Sequence, residues 1–244
     1  MLNWGTSITG TFASLTHFSY RDPFRGAHWA LNGMLASVSD TSKLRQAAID
    51  VKTLSNPGNV LLFSTLSRFC SLSEVSIHLQ ALLDPSCGWE YIRPILECTA
   101  MTSFRFVGRS PLDSHSDVIK DIARSWPRLQ YLHIECKEIQ DRDTRAKLQD
   151  LRLLAQGCPE LEVLSYSFDR SGLVKHSPQL SRSKLRTINV QWTEADGGED
   201  ALWIRRELEL YWPQLGTGHL STSWNEGGPG DQLSHWKAAG FLSM

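Results

Sequence analysis

A six-residue phrase, leucine, two polar residues, then apolar, polar, apolar, recurs eight times in this chain, starting at Leu15, Leu44, Leu72, Met101, Leu129, Leu161, Leu185 and Leu215. Successive starts lie 29, 28, 29, 28, 32, 24 and 30 residues apart. A near-constant step of roughly 20 to 50 residues marks stacked repeats, because one such unit cannot bury its apolar side alone. The first, fourth and sixth positions are apolar in 23 of 24 cases, Gly218 being the exception, whereas the second, third and fifth are apolar only at Ala48, Tyr131 and Val163. Shifting the frame by one residue abolishes the contrast, so the frame itself is informative.

Alternation over the fourth to sixth positions is the period-two mark of a strand with one face buried. The shortest step, 24 residues, leaves 18 between phrases, which is the crossover that parallel neighbours need and a hairpin does not. Helical stripes fill several crossovers: Val118, Ile119, Ile122, Ala123 and Trp126; Leu148, Leu151, Leu154 and Ala155; Ala201, Ile204, Leu208 and Tyr211. Proline stands two residues before a strand start in Trp126-Pro127-Arg128-Leu129, Cys158-Pro159-Glu160-Leu161 and Trp212-Pro213-Gln214-Leu215, where it cannot continue the helix. Cys70 and Cys98 fall near the equivalent place in two other repeats. The expected fold is therefore α/β: a solenoid of about 7–8 repeats with parallel strands on its concave side and helices on its convex side. It is read as one domain over residues 1–244, with repeats over about 12–224 and a capping segment over 225–244 in which Leu233, Trp236, Ala239 and Phe241 could form a closing helix. Its loops are placed at 53–59, 84–88, 108–116, 170–183, 194–200 and 223–230.

The stretch from Asp121 to Asp169, with Ser125-Trp126-Pro127, the strand Leu129 to Ile134, the helix Leu151 to Pro159 and the strand Leu161 to Asp169, resembles the leucine-rich-repeat half of the F-box proteins of mushroom-forming fungi. That resemblance implies protein recognition by the repeats, as in the substrate receptors of cullin ubiquitin ligases, with an F-box ahead of them docking on a Skp adaptor. Only 14 residues precede the first phrase. The expectation is thus a repeat module lacking the F-box, with a Skp adaptor as partner only if an F-box lies upstream.

Charge and composition narrow the classes. With 25 basic against 26 acidic residues there is no broad electrostatic footprint for nucleic acid or an anionic membrane. No apolar run is long enough to span a bilayer, and the first basic side chain is Arg21, so no secretory leader is read. Five cysteines without a Cys-x-x-Cys pair read as free thiols of an intracellular protein, in cytoplasm or nucleus.

No motif demands chemistry, so no catalytic residue, cofactor or metal ligand is assigned. His133-Ile134-Glu135-Cys136 echoes the His-x-Glu of zinc deaminases without their Pro-Cys-x-x-Cys; the plain reading puts His133 and Glu135 in solvent. Cys158 beside His176 could be drawn as a thiol and base, but its place at a helix end reads as packing. Gly227-Gly228-Pro229-Gly230 lacks the lysine of a phosphate-binding loop and reads as a turn. Among nine tryptophans, Trp126, Trp203 and Trp212 read as core, while Trp4, Trp29, Trp89, Trp192, Trp224 and Trp236 lie near ends or loops, where one or two could anchor an interface.

The third, fifth and seventh positions align in rows on the concave side. The expected surface for a protein partner is Glu74, His78, Arg105, Tyr131, His133 and Glu135. The leading reading is non-enzymatic protein recognition. Alternatives are an enzyme with an unrecognised site on the loops, or a truncated remnant without activity of its own.

Overall fold

The structure is a computed structural model and describes residues 14–22, 28–54, 56–82, 89–108, 115–136, 146–147, 150–169, 184–191, 208 and 219–223. Its strands are β1 (His17–Asp22), β2 (Gln46–Leu54), β3 (Glu74–Leu82), β4 (Ser103–Gly108), β5 (Tyr131–Cys136), β6 (Ala146–Lys147), β7 (Val163–Asp169), β8 (Thr187–Gln191) and β9 (His219–Ser223). They form one sheet in the order β1-β2-β3-β4-β5-β7-β8-β9, with β6 pairing β7 off that path. Every pairing is parallel. Neighbours in sequence are thus neighbours in space, which is the arrangement the phrase spacing predicts.

Register follows the phrases. Phe18, Ala47, Val75, Phe104, Leu132, Leu164 and Ile188, all fourth positions, lie opposite one another across seven strands. The second position makes the rung between repeats: the amides of Arg45, Ser73, Thr102, Gln130, Glu162 and Arg186 each donate to the second-position carbonyl of the preceding phrase, at 2.8 or 2.9 Å. Each of those carbonyls also accepts the next amide, at 3.0 or 3.1 Å, so the polar positions satisfy backbone groups at the mouth of the sheet. The eighth phrase departs from its sequence frame. Leu220 pairs with Ile188, which makes it a fourth rather than a sixth position and moves the phrase two residues along, to Thr217.

Between the strands run α1 (His28–Ala36), α2 (Asn56–Leu66), α3 (Trp89–Ile92) continued by a 3-10 turn (Arg93–Glu97), α4 (His115–Ser125) and α5 (Leu151–Gly157). Consecutive helices pack on each other, α1 on α2, α2 on α3 and its 3-10 turn, that turn on α4, and α4 on α5. Their inward side chains, Leu31, Leu35, Leu62, Phe63, Ile95, Val118, Ile122, Leu151 and Leu154 among them, join the fourth and sixth strand positions in one core. Each fully buried leucine or isoleucine adds about 1.5–3 kcal/mol, so stability comes from pooling the repeats rather than from any one of them. Residues 56–59, expected in a loop, belong to α2; Pro57 sits in its first turn, where no amide hydrogen is needed. The helix and capping segment expected after residue 200 fall outside the described residues apart from Leu208, which is buried; Leu148, Trp203 and Trp212 lie outside them too.

Four strand approaches are built alike. The amides of Leu72, Met101, Leu129 and Leu161 donate to the carbonyls of Phe69, Cys98, Trp126 and Cys158, at 3.0 or 3.1 Å. This is a four-residue turn in which Pro127 and Pro159 occupy the second place, where their fixed φ fits. The residue that opens the turn is fully buried in all four. Cys98 holds that place in its repeat; in the one before it Phe69 does, with Cys70 exposed beside it.

Candidate functional site

Strand alternation puts Glu74, His78, Arg105, Tyr131, His133 and Glu135 on the face of the sheet turned away from the core cluster. Register arranges them in rows. Gln46, Glu74, Ser103, Tyr131 and Val163 run across the strand starts; Ala48, Ser76, Arg105, His133 and Ser165 across the middle. A third row holds Arg21, Asp50, His78, Val107 and Glu135. Adjacent members are about 4.8 Å apart along the hydrogen-bonding direction, close enough for one partner to touch several.

The two ends of this patch differ. Toward β1 it is charged: Glu74 is exposed, and the Asp50 carboxylate lies between Arg21 Nε and His78 Nδ1, each 3.3 Å from one of its oxygens. Asp50 is the residue that sequence reasoning passed over when choosing site residues. Its signal was the seventh position of the phrase, flanked in register by two basic side chains. The Arg21 side chain is 81% exposed and that of His78 41%, so this trio is screened by water, and Asp50→Asn is expected to change stability by less than about 1 kcal/mol while releasing both neighbouring side chains. Thermal unfolding of that variant beside the parent measures it.

Toward β5 the same face is dry. His133 is only 2% exposed, contrary to the expectation that it points to solvent, and its Nε2 lies 3.5 Å from Glu135 Oε2. Ser165 in register with it is buried too, and so is Val107, an apolar side chain that does not belong to the core cluster. Burial lowers the proton affinity of His133; the Glu135 contact opposes that and the Arg105 charge reinforces it. Burial likewise pushes the Tyr131 phenol up to about 12 despite Arg105 nearby. Tyr131 therefore acts as a neutral hydroxyl over all ordinary pH. Of the six residues proposed from sequence, Glu74 is exposed, His78, Arg105, Tyr131 and Glu135 are part-buried, and His133 is buried.

Elsewhere, chemistry-bearing side chains are taken up by packing. Cys158 is in the core, where burial raises its thiol to about 12; Cys98, also raised to about 12 by burial with Glu97 and Cys70 adding to it, directs Sγ at the Leu66 carbonyl, 3.6 Å away. A thiol held protonated in this way is a poor nucleophile. Trp89, counted among the end and loop tryptophans, is buried, and its Nε1 donates to Asp121 Oδ2 at 3.1 Å, with Arg93 Nε 3.4 Å from the same oxygen. That contact ties α3 to α4. Among the described residues no group of three His, Cys, Asp or Glu is placed to hold a metal ion, and no helix is long and apolar enough to cross a membrane. His176, the loops at 170–183, 194–200 and 224–230, and the side chains of Trp4, Trp29, Trp192, Trp224 and Trp236 lie outside the described set.

Comparison of the sequence with protein-family models finds no match, and comparison with curated proteins finds none either.

Proposed function

We propose that this chain is a non-catalytic, intracellular protein-recognition module of the leucine-rich-repeat kind, comparable to the substrate-holding half of an F-box protein. The carrying observation is the sheet face turned away from the described helices, where polar and charged side chains of successive strands stand in register over one continuous core. A rigid sheet that repeats the same backbone lets side chains vary without altering the platform, which suits it to gripping another protein. The working part of the face is its β1–β4 end, Arg21, Asp50, Glu74, His78 and Arg105, with Tyr131 as the aromatic at its margin. Fixed charge of both signs favours a partner of complementary, mixed charge and supplies specificity and encounter rate more than raw affinity. A Skp adaptor belongs to this reading only through an F-box joined to the chain.

The test compares cross-linking from a photoreactive residue at position 78 with one at Leu61, which is exposed on α2. A partner captured from position 78 and not from 61 is then titrated against Arg105→Glu with Tyr131→Ala, and separately against Glu74→Lys. Each set should weaken capture roughly tenfold or more, the scale of about 1.4 kcal/mol or above at an interface centre, with the thermal midpoint checked in parallel. A partner bound equally by parent and Glu74→Lys, or captured best from 61, removes this face from consideration.

A further inference from the structure

We infer that His133 is a proton-operated latch: neutral, it lets β4, β5 and β7 close around it, and protonated, it sets a second positive charge beside Arg105 where water is excluded, so that this part of the face loosens as the medium turns acidic.

Geometry carries the inference. His133 is in register with Arg105 on β4 and with Ser165 on β7, and on its own strand it lies between Tyr131 and Glu135. Among the described residues, those are the titratable or charged groups that face it from the elements packed against it. Ser165 bears no charge and Val107 is apolar. Tyr131 keeps its proton up to about 12 and offers no negative charge in return. Among the described residues Glu135 is the counter-charge beside the ring, its Oε2 3.5 Å away on a side chain only 16% exposed. Loss of water around His133 outweighs its help, which holds the ring neutral below the usual histidine range.

The direction of the effect follows by linkage. An unfolded chain takes up a proton at this position near pH 6.5, while the folded chain takes it up only at lower pH. Between those points the unfolded state holds more protons, so stability is complete above about 6.5 and falls as pH drops below it. One proton sets the limit: the folding equilibrium constant can fall by up to about tenfold per pH unit through this residue.

The experiment uses the full chain. The ring titration of His133 is followed by NMR, and denaturant unfolding together with amide exchange of residues 103–108, 131–136 and 163–166 is compared between about pH 7.5 and about pH 5 for the parent, His133→Gln and Arg105→Gln. The parent should lose stability in acid more steeply than His133→Gln, by up to about tenfold in equilibrium constant per unit, with faster exchange concentrated in those strands. Arg105→Gln should make the acid loss smaller, because removing the like charge raises the proton affinity of the folded ring and narrows its gap from the unfolded value. A His133 ring that titrates near 6.5, or a His133→Gln curve that tracks the parent, overturns the latch; should His133→Gln fail to fold, an acid limb unmoved by Arg105→Gln overturns it instead.

Discussion

Trp126→Ala is expected to lower the unfolding free energy by about 3–5 kcal/mol, the range for deleting a large buried aromatic whose surroundings cannot collapse. Trp126 lies just beyond α4 with no exposed surface, and its ring centre is 4.9 Å from that of Phe104, tilted by 50°. It fills the wedge where helix, turn and sheet meet. Its backbone is equally committed, the amide donating to Ile122 and the carbonyl accepting from Leu129, so an alanine keeps the turn and loses the filling. Trp126→Phe separates volume from polarity. Among the described residues the buried indole Nε1 has no hydrogen-bond partner, hence phenylalanine forfeits no bond, relieves a desolvated N–H, and should cost far less than alanine. Urea unfolding of the two variants tests this. Equal losses would mean that the indole N–H, not the ring, matters.

The strands were readable because burial on one side and water on the other write the same alternation into every phrase. Where that contrast weakens, so does the reading. Gly218 in a core slot was the sign that the eighth phrase had been framed two residues early, and the pairing of Leu220 with Ile188 confirms the shift. Three helices carry no stripe in the sequence reading, and α3 is only four residues long; the other two are unread for a different reason. His28–Ala36 and Asn56–Leu66 carry glycine, asparagine and proline, residues that favour caps and turns, and neither shows a sharp polar stripe. Packing between sheet and neighbouring helices holds them where propensity would not. The candidate face was legible as to which side each residue occupies and illegible as to depth. Period two distinguishes faces and says nothing of how crowded a face is. One signal of the dry end was present: the seventh position reads Arg21, Asp50 and His78 in the first three repeats and then Val107, an apolar side chain in a row otherwise polar.

Gly157→Ala should be nearly as damaging for the opposite reason, because there is no room to add even one carbon. A Cβ at this last residue of α5 would lie 2.2 Å from the Ala123 carbonyl oxygen, 2.7 Å from its carbon and 2.8 Å from the Ala123 side chain. Two of these are backbone atoms of α4, which no rotamer change can move, so α4 and α5 must part. The backbone of Gly157 is not in the left-handed region, which makes space rather than conformational freedom the reason for glycine. Overpacking of this kind costs about 1–3 kcal/mol, and contact with a rigid neighbour places Gly157→Ala at the upper end; Gly157→Val should exceed it. Gly33→Ala is the control. It is exposed on α1 with nothing within 4 Å of the added carbon, so reduced backbone entropy should raise stability by about 0.5–1 kcal/mol. Chemical denaturation of the pair should therefore give shifts of opposite sign. A Gly157→Ala protein as stable as the parent would show that the two helices stand further apart than the repeat packing requires.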